Sequence, residues 1–123
     1  MKKEILIIDD NEKLCKSLIQ NFDQFGYISH YANNEKEAMQ LIEKNKYKTI
    51  ILDVVIGDES GFDILKKIKA FDNKLPVIMI TGYGTIEIAV KSIKIGAYDF
   101  VQKPLDFERL LKIVENAINM LSF

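Results

Sequence analysis

The sequence is short of the residues that build specialised scaffolds: in 123 residues it has no tryptophan, one histidine, one cysteine and two prolines. A lone cysteine, Cys15, excludes an internal disulfide and a cysteine-rich metal site. Its place among apolar residues at helical spacing predicts a half-buried thiol whose role is packing. Charge of one sign is missing too, since 17 basic residues face 18 acidic ones. That balance lacks the basic footprint of a domain that grips nucleic acid, so no direct nucleic-acid contact is expected. No apolar run approaches the length of a membrane span. The opening Met1-Lys2-Lys3-Glu4 leads into a short strand-like run, unlike a signal sequence, and a cytoplasmic protein with no membrane contact is expected. No internal repeat, linker or low-complexity segment interrupts the chain, and residues 1–123 read as a single domain.

What is present is an alternation of two apolar patterns. Short runs rich in Ile and Val, at Ile5–Ile8, Thr49–Leu52 and Val77–Ile80, are apolar on both faces and read as central strands of a covered parallel sheet. Ile28–Tyr31 and Tyr98–Val101 are more mixed and suit strands nearer an edge. Between the strands, apolar residues recur three or four apart. Leu14, Leu18, Phe22 and Phe25 mark a first helix ended by Gly26, and Ala38, Leu41 and Ile42 mark a second capped by Asn34 with Glu37. Ile64, Leu65 and Ile68 mark a third, Ile86, Ala89, Val90 and Ile93 a fourth, and Phe107–Leu121 a fifth capped by Asp106. Strand and helix in turn demand right-handed crossovers, hence an α/β fold with a parallel sheet.

In such sheets ligands bind beyond the carboxyl ends of the strands. Here the first strand ends in Asp9-Asp10, the third in Asp53 and the fourth in Thr81-Gly82, while Lys103-Pro104 follows the fifth. Three carboxylates brought together repel one another unless a cation neutralises them, and a hard divalent ion such as Mg²⁺ takes oxygen ligands of this kind. Asp53, on the central strand, is the candidate nucleophile toward phosphorus. Lys103 is the candidate ammonium opposite the metal, the Thr81 hydroxyl can donate to a phosphoryl oxygen, and the Gly82 N–H can approach without a side chain in the way. An isolated Asp-Asp after a strand is usually a turn or helix cap, but the matching groups at the other strand ends favour a phosphoacceptor site.

With these residues in their order, the chain resembles a receiver domain of two-component response regulators over essentially its whole length. The resemblance implies a flavodoxin-like doubly wound sheet of five strands in the order 2-1-3-4-5 with five helices. It implies that Asp53 is the phosphoacceptor for a sensor histidine kinase in a phosphorelay. It implies Mg²⁺ or Mn²⁺ held by Asp10, Asp53 and the carbonyl of Val55, with Asp9 acting through water. Thr81 and Phe100 would be switch residues, and the Lys103–Pro104 bond would be cis. The stretch TGYGTIEIAVKSIKIGAYDFVQKPL is similar to receivers of nitrogen-regulatory transcriptional activators. The domain would catalyse only its own phosphorylation and slow dephosphorylation, and its output would be control of transcription.

One departure is clear. Receivers commonly carry Met-Pro after the phosphoacceptor, where this chain has Ile56-Gly57. Ile56 can replace Met as an apolar plug, but Gly57 removes the constraint on φ and predicts a looser loop unless metal or phosphate orders it. Asp58 and Glu59 read as solvated loop charges and His30 as a surface residue. Ile88 and Ile95 lie off the main face of the fourth helix, and Ile113 and Met120 off that of the fifth. These predict a homodimer or output surface on helix four, strand five and helix five. The apolar Met120–Phe123 predicts that helix five runs on into a C-terminal output domain. Two competing functions are weaker. A phosphatase of the haloacid-dehalogenase type would need a second acid at Val55, and a degenerate receiver acting as a phosphorylation-independent interaction module would not need the acidic pair, Thr81 and Lys103 intact.

Overall fold

Runs without a polar face leave water only when both sides are covered. The computed structural model, which describes residues 3–120, places them in that setting. Strands β1 (Lys3–Ile8), β2 (Tyr27–Ala32), β3 (Thr49–Asp53), β4 (Val77–Thr81) and β5 (Asp99–Gln102) form one sheet. Their order is β2-β1-β3-β4-β5 and every pairing is parallel, as the resemblance implied. The more mixed strands β2 and β5 are the edges. Helices α1 (Glu12–Asp23), α2 (Glu35–Lys44), α3 (Gly61–Phe71), α4 (Ile86–Ile95) and α5 (Phe107–Met120) make the crossovers.

Alternation along the strands sends side chains into two cores. Ile5, Ile7, Ile51, Ile78 and Ile80 pack under Cys15, Leu18 and Phe22 of α1 and Leu110, Leu111 and Val114 of α5. Leu6, Ile8, Ile50, Leu52, Val77 and Met79 pack under Ala38 and Ile42 of α2 and Ile64, Leu65 and Ile68 of α3. Each fully buried Ile, Leu or Phe contributes roughly 1.5–3 kcal/mol, which outweighs propensity differences of up to about 1 kcal/mol per residue. Among the described residues, no helix is long and apolar enough to cross a membrane. The expected run of α5 past Met120 lies outside the described residues.

Several caps form as expected. Asn34 Oδ1 accepts from the Glu37 N–H at 2.9 Å, and Glu37 Oε1 accepts from the Asn33 N–H at 3.0 Å. Asp106 Oδ1 accepts from the Glu108 N–H at 3.1 Å. Other details differ. Helix α1 ends at Asp23, three residues before Gly26 with its φ of +82°, and Phe25 is 52% exposed, tilted against Phe107. Cys15 is fully buried, because its thiol reaches the Asp9 carbonyl beneath the end of β1. His30 is half-buried and bonds through Nδ1 to the Tyr47 hydroxyl at 2.7 Å.

The largest difference is α4, which is turned the other way from the expected orientation. Ile86, Val90 and Ile93 are 84%, 46% and 50% exposed, while Ile88 and Ile95 pack on the core and Ser92 is fully buried. The inward ridge centres on a small residue whose hydroxyl donates to the Ile88 carbonyl at 2.8 Å. That bond removes the penalty of burying the hydroxyl and lets the helix sit close to the sheet, leaving the wider apolar stripe to solvent. On α5, Met120 is exposed but Ile113 is half-buried against the core, so only Met120 of the expected pair lies at the surface.

Candidate functional site

Because every strand of the sheet runs the same way, all carboxyl ends open on one edge. Chain direction across the sheet reverses between β1 and β3, which leaves a crevice there. Asp53 ends β3, Asp9 and Asp10 follow β1, Thr81 ends β4, and Lys103 follows β5. The structure brings the acidic residues together: Asp9, Asp10 and Asp53 each offer a carboxylate oxygen within 4.8 Å of the others.

Lys103 closes the cluster from the opposite side. Its Nζ donates to Asp9 Oδ2 at 2.9 Å and to Asp53 Oδ2 at 2.8 Å. The Lys103 N–H also donates to the Thr81 carbonyl at 2.7 Å, which fixes the start of this loop, and the Lys103–Pro104 bond is cis. One oxygen of each carboxylate meets a backbone amide. Asp9 Oδ1 accepts from Asn11 at 2.9 Å, Asp53 Oδ1 from Val55 at 3.1 Å, and Asp10 Oδ2 from Gly57 at 2.8 Å.

Burial pushes the Asp9 carboxyl up to about 6, against the opposing pull of its bond from Lys103. Burial also pulls Lys103 down, but its hydrogen bonds to Asp53 and Asp9 outweigh this and hold its pKa above the ordinary lysine value. One ammonium therefore does not fully offset three carboxylates. The set is two charges short of neutral and presents oxygen donors, which fits a hard divalent cation such as Mg²⁺, Mn²⁺ or Ca²⁺.

Thr81 is fully buried and its Oγ1 accepts from the Tyr83 N–H at 3.0 Å, leaving its own hydrogen free to donate. Phe100 is half-buried against the α2–α3 core. Gly82 is exposed, and a Cβ there would meet nothing within 4 Å, so sterics do not require glycine at that position.

Three features escaped the sequence reading. An added Cβ at Gly61 would lie 2.0 Å from the Asp53 carbonyl oxygen, so only glycine lets α3 start against the phosphoacceptor candidate's own peptide. The spacing Asp53…Gly61 was the available signal. The loop after Asp53 is hydrogen-bonded: Val55–Ile56 pairs antiparallel with Glu59–Ser60, and Gly57 turns at φ +60°. Glu59 is no free loop charge, since its Oε1 accepts from the Glu35 N–H at the start of α2 at 2.8 Å.

Residues 5–115 match the family described as the response regulator receiver domain. The chain is 33% identical over 115 residues to the transcriptional regulatory protein ZraR of Escherichia coli K12, covering 94% of this chain and 26% of that protein. It thus spans about a quarter of the length of this curated relative. The beryllofluoride-activated NtrC4 receiver domain dimer superposes with a TM-score of 0.91 at 36% identity, covering 96% of this chain and 98% of that one. A response regulator from Burkholderia pseudomallei, with a phosphorylated aspartic acid, calcium ion and citrate, gives a TM-score of 0.88 at 28% identity, covering 98% of this chain and 71% of that one.

Proposed function

The chain belongs to the response regulator receiver domain family, and from that premise we propose that it is a Mg²⁺-dependent switch in which Asp53 accepts a phosphoryl group from the phosphohistidine of a sensor histidine kinase. The observation that carries this reading is the Lys103 ammonium held between Asp9 and Asp53 inside a three-carboxylate cluster. A divalent cation, Mg²⁺ or Mn²⁺, would be held by Asp10, Asp53 and the Val55 carbonyl, with Asp9 acting through water, and would offset charge on the phosphoryl oxygens when bound.

An Asp53 carboxylate oxygen attacks phosphorus in line; the O–P bond forms as the P–N bond to the kinase imidazole breaks, and the imidazole leaves with that electron pair. The product is an aspartyl phosphate. Lys103, already donating to Asp53 Oδ2, passes a hydrogen bond to the phosphoryl group. The Thr81 hydroxyl donates its free hydrogen, and the Gly82 N–H supplies a second donor from an exposed backbone. Moving Thr81 toward the phosphoryl group opens space for Phe100 and biases the surface of α4, β5 and α5 between two states.

Val55 and Tyr83 are 46% and 70% exposed beside the expected water path and offer no carboxylate or amide to orient an attacking water, so phosphate loss is slow. A half-life of seconds would count against this. The outward stripe of Ile86, Val90 and Ile93, with Met120 on α5, is the surface for a second copy or an output domain. Control of transcription fits the name of the E. coli relative and would be exerted through parts beyond the receiver. We place the protein in the cytoplasm, where a kinase donor and Mg²⁺ are both at hand, and take residues 1–123 as one receiver domain.

Incubation with Mg²⁺ and acetyl phosphate tests the reaction. The intact mass is expected to rise by one phosphoryl group in the wild type and to stay unchanged in Asp53→Asn. An adduct that forms without Mg²⁺, or on Asp53→Asn, would overturn the mechanism, and no adduct on the wild type would leave the degenerate-receiver reading.

A further inference from the structure

We propose that the backbone amide of Gly57 is a positioning group for Asp10: it holds that carboxylate in the orientation a divalent cation requires and links cation affinity to the shape of the loop after β3. This rests on the reading of Asp9, Asp10 and Asp53 as a cation site.

The three carboxylates are not held alike. Asp9 and Asp53 each take one bond from the Lys103 ammonium and one from an amide two residues further along the chain. Asp10 is exposed and takes none from Lys103; the bond the structure records to its carboxylate, among the described residues, comes from the Gly57 N–H at 2.8 Å, 47 residues away. An exposed aspartate without such a bond is free to turn among its rotamers, and each cation-binding event would have to fix it. With Oδ2 engaged by Gly57, the side chain is fixed while Oδ1 stays open for a ligand.

Gly57 is suited to this by two properties. Its φ is +60°, a left-handed conformation that side-chain-bearing residues rarely adopt. A Cβ there would meet nothing within 4 Å, so the position demands a backbone shape and not empty space. It also supplies an N–H. A proline at 57 would fix φ near −65° and remove the donor, failing on both counts. The ladder of Val55–Ile56 with Glu59–Ser60 holds the turn, and Glu59 ties that ladder to α2. Asp10 is thereby fastened to a loop that begins at the phosphoacceptor candidate itself.

Hydrogen bonds to metal ligands from outside the coordination shell are typically worth 10–100-fold in affinity. Calorimetric titration of the chain with Mg²⁺ should show a weakening of roughly that size in Gly57→Pro. Gly57→Asn, which keeps the N–H and tolerates positive φ, should remain within about threefold of wild type. Equal affinity in Gly57→Pro and wild type overturns the proposal, as does a loss in Gly57→Asn as large as in Gly57→Pro. A second measurement does not depend on the proline variant folding: in cation-free buffer, hydrogen exchange of the Gly57 amide should speed up about tenfold in Asp10→Ala. An unchanged rate also overturns the proposal. If wild type itself binds no Mg²⁺, the cation site fails and the positioning role with it, whereas normal wild-type binding with an unaffected proline variant removes the positioning role alone.

Discussion

The connections after β3 and β4 leave the same sheet edge side by side, yet they are built differently. After β3 the chain folds back as a short ladder, the Gly61 N–H donates to the Val54 carbonyl at 2.6 Å, and Gly57 and Glu59 reach Asp10 and the start of α2. Helix α3 then buries Gly61, Ile64, Leu65 and Ile68. After β4, residues 82–85 are exposed throughout, tied by the Tyr83 N–H to Thr81 Oγ1 and the Thr85 N–H to the Tyr83 carbonyl. On α4, Ser92 alone is fully buried. Density of buried contacts sets the free energy of local opening, so the first connection is a fixed frame and the second a segment that small forces can shift. Under the proposed function, the candidate phosphoacceptor Asp53 sits on the frame and the surface to be changed on the looser helix, which would separate positioning from response.

The strongest way to break this contrast is Gly61→Ala. Its Cβ would lie 2.0 Å from the Asp53 carbonyl oxygen and 2.8 Å from the Val54 Cα, both backbone atoms that cannot rotate aside. Urea unfolding should show a loss of about 4–5 kcal/mol, or no folded protein at all. A matched pair sharpens the comparison. Ile64→Ala on α3 should cost about 3 kcal/mol, whereas Ile93→Ala on the exposed stripe of α4 should change stability by less than about 0.5 kcal/mol. Equal losses would mean that the two helices are equally well packed.

A smaller effect concerns the charge stored in the frame. The unfolded Asp9 carboxyl titrates near 3.8 and the folded one near about 6, so the folded state holds the proton more tightly. The contribution of this group to stability is therefore greatest below the lower value and is lost as pH rises to the upper one. Asp9→Asn should accordingly be more stable than wild type by roughly 1–2 kcal/mol at pH 7 without Mg²⁺, with the gain vanishing near pH 4. Denaturant titrations at the two pH values measure it, and a gain that grows toward low pH would reverse the sign. The smallest expected change in stability, near zero, is for Val90→Lys, which should still abolish any phosphorylation-dependent self-association seen by light scattering. A strict monomer in both phosphorylation states would sink the dimer reading of this surface.

Much of this frame was legible in the residues. Uninterrupted runs such as Ile5–Ile8 leave no choice but interior strands, and their polar terminators place Asp9, Asp10, Asp53 and Thr81 on one edge. Helix α4 was not legible, because apolar residues at 86, 88, 90, 93 and 95 occupy opposite sides of it, and hydrophobic spacing cannot rank a stripe of three against a pair flanking Ser92. The buried hydroxyl decides the matter only once its bond to the Ile88 carbonyl is known. The hydrogen bonds of the loop were hidden for a related reason. Freedom of φ at Gly57 predicts slackness, while the amide of the same residue donates to Asp10 Oδ2, an acceptor 47 residues away in the chain.

The outward stripe of α4 also bears on how such a chain could be engineered or could drift. Ile86, Val90 and Ile93 are the positions that anyone seeking a more soluble protein would first make polar, and the fold would hardly register the change. If this stripe is the recognition surface proposed above, selection for solubility and selection for recognition act in opposition on the same three side chains. Under the proposed function, variants tuned only for yield would drift toward a well-behaved domain that still takes up phosphate and has nothing left to say to its partner.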